Sequence, residues 1–389
     1  MKEIVAIICE YNPFHNGHKY QVDKIKEMFP DSIVVSIMSG NFTQRGEFAL
    51  FDKYTRAKAA VICGVDCVME LPYPFCASNA EVFAKAGVYI ASKLGATHLC
   101  FGIEDGDIKD LIEIADTIDS EEFTKKFEEL KQDKSISYPK LREIACRELG
   151  KGLPNSSNMI LGVEYIRAIK KYGNSIIPVA IKREGLGYND LSVGKNMSAT
   201  AIRAYFMNNN SFVSIPNEID KLYSECIDNG SYVNEKDVKD FIFRSVITMD
   251  PSYMENLYDA PSGAGYFITE TANNSKNADE FFGKLTTKTY TYARLRRIVL
   301  SSLFGVAKME DHPSYTSVLA LNEKGREFLK ILKKHTDLPI ITKLADYTKM
   351  DKSVMEQFKI SAKADRLFTS FLKNGSVPSD FIRKNPYIN

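Results

Sequence analysis

The chain has 389 residues, 44% hydrophobic and 26% charged, and its 51 basic and 50 acidic residues leave a formal net charge of +1. That composition excludes a disordered, collagen-like or coiled-coil chain, and at about 100 to 200 residues per domain the length predicts two or three domains. A near-zero balance means that any nucleic-acid surface has to be a local patch and not a global excess of positive charge.

The chain opens with an apolar run, Ile4 to Cys9, that stops at Glu10 and is too short for a secretory core. No stretch reaches the roughly 18 apolar residues of a membrane span, so no membrane partner is expected. Five runs are bounded like strands buried on both faces of a parallel sheet: Ile4 to Cys9, Ile33 to Met38, Cys67 to Leu71, Thr97 to Phe101 and Ile176 to Ile181. Helical patterns alternate with them over Gly17 to Phe29, Lys53 to Cys63, and Asn79 to Leu94, where Gly95 provides a stop. This alternation predicts a doubly wound α/β domain. Residues 108–150 interrupt it with charged helical patterns and read as a helical insertion. The pattern then resumes with a helix over Asn158 to Tyr172, the Ile176 strand, a loop over 182–196, and a helix from about Ser198 to Met207. Beyond Asn208-Asn209-Asn210 helical periodicity dominates, which divides the chain into an α/β domain over 1–210 and a mainly helical C-terminal domain over 211–389. The Asn, Ser and Ala content of Thr271 to Asp279 reads as a loop. Seven cysteines, an odd number with no Cys-x-x-Cys pair, read as reduced thiols of a cytosolic protein with no cysteine metal site, Cys9 and Cys100 acting as small hydrophobes.

Where the first strand hands over to the first helix stands Glu10-Tyr11-Asn12-Pro13-Phe14-His15-Asn16-Gly17-His18. Two of the chain's five histidines fall three residues apart in it. In a strand-turn-helix unit the helix's free N–H groups and positive dipole end face the carboxyl edge of the sheet, which suits a phosphate. Gly17 lets backbone approach a ligand closely. His15 and His18 would donate hydrogen bonds to charge that builds up during attack at an α-phosphate, with no protein nucleophile required. A bare His-x-Gly-His match is as often an ordinary turn, and it is the position after an apolar strand that selects the functional reading. The motif resembles the His-x-Gly-His signature of the nucleotidyltransferase superfamily, whose members adenylate small substrates with ATP. Met197-Ser198-Ala199-Thr200-Ala201-Ile202-Arg203 resembles that superfamily's Ile-Ser-Ser-Thr-x-x-Arg element. Ser198 or Thr200 can cap a helix there and Arg203 can offer a guanidinium to phosphate; alone they read as plain caps and a solvated arginine.

Further segments narrow the resemblance. With Lys19-Tyr20 extending the first motif, Ser39 to Glu47, Glu70-Leu71-Pro72-Tyr73-Pro74, Phe101-Gly102, Asn158 to Tyr165, Lys182-Arg183 and Thr289 to Arg297 together resemble the bacterial tRNA(Met) cytidine acetate ligases. That resemblance implies a nucleotidyltransferase-like, ATP-binding domain over 1–210 and a tRNA-binding role for 211–389. It implies activation of acetate by ATP and acetylation of N4 of the wobble cytidine of elongator tRNA(Met). Carried over by position, the ATP site comprises Ile7, Ile8, Cys9, Glu10, Tyr11, Asn12, Pro13, Phe14, His15, Asn16, Gly17, His18, Lys19 and Tyr20, then Gly102, Asn158 and Arg183. Lys182, Ser198 and Arg203 join them as phosphate partners, and Mg²⁺ is expected to accompany the triphosphate, although no cluster of acids is dedicated to it. Gly102 at a strand end leaves room for ribose or base, or is simple turn chemistry. Asn158 is a nucleotide contact or a helix N-cap. In the loop 39–47, Asn41, Thr43, Gln44 and Arg45 stand at the expected catalytic edge, where Gln44 or Arg45 could reach acetate or phosphate.

From Lys284 to Arg297 the chain carries Lys284, Lys288, Arg294, Arg296 and Arg297, no acid, and Tyr290 and Tyr292. Cations for phosphates and rings for stacking on unpaired bases make Lys284, Lys288, Tyr290, Arg294, Arg296 and Arg297 the candidate RNA contacts. A solvated basic helix over a core is the bland alternative. Two other functions remain open on sequence: a small-molecule adenylyltransferase, and a tRNA-binding protein whose nucleotide fold no longer turns over.

Overall fold

A computed structural model of the chain describes residues 3–132, 136, 138–154, 156–173, 175–183, 197–285, 290–374 and 387–388. Strand β1 (Ile4–Cys9) pairs in parallel with β2 (Ile33–Ser39), and β2 with β3 (Cys67–Leu71). On the other side of β1 lies β4 (His98–Ile103), followed by β5 (Ile177–Lys182), both parallel. The chain thus winds outward from β1 in one direction and then returns to wind in the other. At that reversal the carboxyl ends of β1 and β4 part and leave a crevice. Every residue of β2 and β3 is buried, which is why these strands read as mostly apolar runs without alternation: helices cover both faces of a parallel sheet.

The helices fall where their caps put them. His15 caps Asn16–Met28, Asp52 caps Lys53–Ile62, and Asn79 caps Ala80–Lys93, each with its side chain accepting from a first-turn N–H. The insertion forms three helices, Ile108–Ile118, Glu121–Leu130 and Tyr138–Glu148. Buried Glu164 on helix Ser157–Tyr172 ties the insertion down by an ion pair to Arg142 at 2.6 Å, and Arg167 on the same helix, itself 2.7 Å from Glu164, reaches Asp119 of the insertion at 2.7 Å.

Helices carry most of the second half, as expected, but the sheet does not stop at residue 210. Strand β6 (Thr316–Leu321), with all six residues buried, pairs antiparallel with β3. Two short strands, β7 (Ile340–Ile341) and β8 (Tyr387–Ile388), lie parallel to β6. The order is β5-β4-β1-β2-β3-β6-β7, with β8 also on β6. A short apolar run such as TSVLAL carries no period that separates strand from buried helix; its place is set by the open edge of β3. The loop expected over 271–279 shrinks to 274–277, because Ala264–Asn273 and Ala278–Lys284 are helical and Asn277 caps the second. One buried cluster runs from Val5 to Leu372, so the two halves share a core.

Helix Lys352–Thr369 reaches back beneath the carboxyl edge of the sheet. Its Asp365 accepts from Lys53 Nζ at 2.7 Å and from Asn41 Nδ2 at 2.8 Å, and Lys53 also bonds Glu70 at 2.6 Å. Lys53 and Glu70 are buried, a state that holds only while each charge keeps its partners. No helix among the described residues is long and apolar enough to cross a membrane.

Candidate functional site

The crevice is floored by the turn after β1. Tyr11 sits at φ 50°, in the left-handed region that side chains rarely adopt, and its hydroxyl is 2.8 Å from Ser36 Oγ on β2. The strained turn lifts His15 into the N-cap of helix Asn16–Met28, one helical turn below His18. The imidazoles stack with centroids 3.8 Å apart. Gly17 N–H donates to His15 Nδ1 at 3.0 Å, and His15 N–H donates to His18 Nδ1 at 3.3 Å. With both Nδ1 atoms accepting, the proton of each neutral ring belongs on Nε2. Burial, with Arg183 and Arg203 nearby, lowers the His15 pKa to about 3; burial, then His15 and Arg183, lowers that of His18 as well. Near neutral pH the pair therefore presents two neutral Nε2–H donors. Gly17 is required in this arrangement, since a Cβ there would lie 2.9 Å from His15 Cε1.

Around these donors the walls carry cations. Arg203 Nη1 donates to Asn12 O at 2.8 Å, while Nη2 lies 3.3 Å from Glu47 Oε2. Ser198 caps helix Ala199–Asn209 and accepts from Ala201 N–H. Arg183 crosses the end of β4, its Cγ 3.1 Å from where a Gly102 Cβ would stand. The space that Gly102 leaves is thus filled by the arginine stem, and the glycine serves the cation that reaches the cleft. From the loop after β2, Arg45 spans the opening to Ser157 Oγ at 2.6 Å, and Gln44 N–H holds Glu10 Oε1 at 2.7 Å. Asn12 Oδ1 accepts from Leu50 N–H at 2.8 Å, but its buried Nδ2 donates to no described residue. A buried donor in a cleft wall without an acceptor fits a ligand oxygen.

The cleft is lined by Ile8, Cys9, Glu10, Tyr11, Asn12, His15, Gly17, His18, Tyr20, Gly102, Asn158, Lys182, Arg183, Ser198 and Arg203, all of them expected. Of the remaining expected residues, Ile7, Pro13, Phe14, Asn16 and Lys19 do not line it. Ile7 and Phe14 are core residues, Asn16 N–H bonds Ser214 O, and Lys19 pairs with Asp23 at 2.6 Å along its own helix. Asn158 is not the N-cap, a place taken by Ser156; its amide and the Ser156 hydroxyl both bond Glu104. The loop 184–196 lies outside the described residues.

Sequence reasoning passed over two side chains that shape the site. Arg56, fully buried on helix Lys53–Ile62, donates to the carbonyls of Glu10, Phe51, Ser39 and Gly40. It thereby clamps the ends of β1 and β2 to the loop that follows β2. Glu47, also in the cleft wall, bonds Arg203 at 3.3 Å and Arg296 at 2.8 Å. Burial pushes its carboxyl up, but Arg296 and then Arg203 outweigh that and hold its pKa below the usual value. Only the clash of acidic Glu47 with a phosphate site could have drawn attention to it in the sequence.

The basic segment is more engaged than its sequence suggests. On helix Tyr292–Phe304, Arg294 pairs with Asp259 at 2.9 Å and Arg297, largely buried, lies 3.5 Å from the same carboxylate. Arg296 stacks over Tyr292 and bonds Glu47. Lys284, half exposed, pairs with Glu280, and Tyr290 OH donates to Ser262 O. Lys288 lies outside the described residues.

A strand-turn-helix with two donor imidazoles at its mouth, opened at the reversal of a parallel sheet and ringed by arginines, defines a His-x-Gly-His nucleotidyltransferase. The model of the HIGH Nucleotidyl Transferase family matches residues 1–380. The chain is 33% identical to the tRNA(Met) cytidine acetate ligase of Acetivibrio thermocellus, over 96% of each chain. It is 35% identical to that of Caldanaerobacter subterraneus, over 96% of this chain and 97% of the relative. Crystal structures of Thermotoga maritima TmcAL, bound with alpha-thio ATP and apo, superpose with TM-scores of 0.90 and 0.92 at 30% identity, covering 99% of each chain. The chain belongs to the HIGH nucleotidyltransferase family and, within it, to the tRNA(Met) cytidine acetate ligases.

Proposed function

We propose that the chain joins acetate to N4 of the wobble cytidine of elongator tRNA(Met), using ATP in two steps. An acetate oxygen attacks the α-phosphorus and pyrophosphate leaves; the cytidine amine then attacks the acetyl carbon of acetyl-adenylate and AMP leaves. The observation that carries this reading is the pair of stacked, neutral imidazoles with both Nδ1 atoms occupied. Their Nε2–H groups meet charge as it builds up on the phosphates, and because both hydrogen bonds are formed in advance no reorganisation accompanies the reaction. Arg183, Arg203 and Lys182 supply positive charge to the departing pyrophosphate, and Asn12 Nδ2 supplies one further donor. Mg²⁺ enters as part of the nucleotide substrate, held by phosphate oxygens and water; among the described residues no group of three acids, histidines or cysteines could hold a metal. Residues 1–210 bind the nucleotide, and 211–389 meet the tRNA through Lys284, Arg294 and neighbouring tyrosines. A cytoplasmic location accompanies a tRNA substrate.

The test is pyrophosphate release from ATP with and without acetate and unmodified elongator tRNA(Met) transcript, followed by nucleoside mass analysis. N4-acetylcytidine formed only when ATP, acetate and tRNA are all present is expected, and His18→Ala is expected to cost at least about a hundredfold in rate. Turnover that ignores acetate and RNA would overturn the reading.

A further inference from the structure

Acyl transfer to cytidine demands a proton acceptor, because the exocyclic amine sheds a proton as its bond to the acetyl carbon forms. The departing AMP phosphate needs none. The imidazoles cannot serve: each Nδ1 already accepts a backbone N–H, and each Nε2 carries its own proton. Glu47 is held by Arg203 and Arg296, and Glu104, behind Asn158, accepts from Ser156 and Asn158 on its two oxygens. Among the described residues lining the cleft, the one carboxylate outside any ion pair is Glu10. It follows β1 directly and stands between the imidazole turn and the loop 40–47. Gln44 N–H fixes its Oε1 at 2.7 Å, while Oε2 accepts no hydrogen bond from a described residue.

On the reading that the cleft forms acetyl-adenylate, we propose that Glu10 accepts the N4 proton during acyl transfer. The N–C bond forms, the N–H bond breaks with its proton passing to Glu10 Oε2, and the acyl C–O bond breaks with its electron pair leaving on AMP. Glu10 returns to the carboxylate by releasing the proton to solvent with the products. The surroundings suit the task. Burial raises the carboxyl's pKa; the Gln44 N–H opposes this, the Glu47 charge adds to it, and Arg203 and Arg56 pull it down. The Cys9 thiol and Tyr165 phenol, the other titratable groups against it, are both pushed upward by burial and stay neutral. A carboxylate whose pKa is raised is a stronger base than one in water.

Glu10→Gln tests this, because the amide oxygen preserves the acceptor for Gln44 N–H and removes only the base. Two readouts separate the half-reactions: acetate-dependent exchange of labelled pyrophosphate into ATP, and single-turnover transfer of preformed acetyl-adenylate to tRNA(Met) transcript. The variant is expected to lower transfer about 100- to 10,000-fold while exchange falls far less. The wild-type transfer rate is expected to rise with pH through a carboxylate pKa above the ordinary range, and the variant's residual rate to lose that inflection. An equal fall in both half-reactions, or no fall in transfer, would overturn the proposal. Should Glu10→Gln fail to fold, Glu10→Asp withdraws the carboxylate by one methylene, and its transfer must fall more than its exchange for the proposal to stand. Absence of acetate-dependent exchange in the wild type would instead refute the reading of the cleft itself.

Discussion

Gly17→Ala separates the stability of the first helix from its chemistry. Gly17 lies inside helix Asn16–Met28, so its backbone suits alanine, and helix propensity alone predicts a gain of about 1 kcal/mol. The added Cβ would stand 2.9 Å from His15 Cε1 and 3.1 Å from Nδ1, whereas ordinary contacts between such atoms begin at roughly 3.5 Å. The His15 ring has to retreat by about half an ångström, which strains the bond from Gly17 N–H and misdirects Nε2–H. A displacement of about 1 Å in a catalytic group can cost about a hundredfold, so a loss of some 10- to 100-fold in kcat/KM is expected, about 1.4 to 2.7 kcal/mol of transition-state stabilisation. Acetate-dependent pyrophosphate exchange measures the activity, and thermal melting measures the fold. An unchanged or raised melting temperature with depressed exchange is the expected combination. Exchange within threefold of wild type in a folded variant would refute the claim that the His15 ring is held by that contact.

The depressed imidazole pKa of His15 makes stability pH-dependent with a definite sign. The unfolded ring takes up a proton near 6.5 and the native ring only near 3, so its contribution is complete above 6.5 and is lost as pH falls. His15→Asn is expected to flatten the wild-type slope of urea stability by about 1.4 kcal/mol per pH unit between pH 6 and 4; parallel slopes would contradict it. Arg56→Met is expected to cost about 3–5 kcal/mol in urea melts, since it leaves four buried carbonyls without their donor. Lys284→Ala and Arg294→Ala are each expected to reduce the slope of log tRNA affinity against log salt by about 0.7 to 0.9, one phosphate contact apiece. Filter binding between low and moderate salt checks this, and unchanged slopes would move the RNA surface elsewhere.

Much of the site was legible because its signals are local. A six-residue apolar strand, a turn and two histidines three apart specify their own geometry, and nine residues of that motif line the cleft; the other six expected residues there, Gly102, Asn158, Lys182, Arg183, Ser198 and Arg203, followed from the resemblance. A contiguous motif is not a contiguous lining: Phe14 and Lys19 belong to the same string as His15 and His18, yet the turn before the helix sends Phe14 into the core and the helix carries Lys19 along its own surface to Asp23. Arg56 was invisible for another reason. In sequence it is an ordinary cation on an amphipathic helix, and nothing nearby announces that its guanidinium is inserted among strand-end carbonyls. Likewise the basic run near 290 reads as an open patch because its counter-ions, Glu47 and Asp259, lie far away in the chain. Strand β6 escaped since its partner precedes it by some 250 residues and no local period marks it.

That last pairing has a consequence for synthesis. When β3 leaves the ribosome it presents an unpaired edge, apolar but for Glu70, whose cover, β6, is not made until residue 321 has emerged. At about 5–20 residues per second the interval is roughly 12 to 50 s, and open apolar strand edges are templates for aggregation. The nascent chain therefore passes through a stage in which the ATP-binding residues are all translated but its sheet is still adhesive. Helper proteins that shield strand edges, and codon usage that shortens the delay, should govern the yield of this enzyme more strongly than the stability of its finished fold.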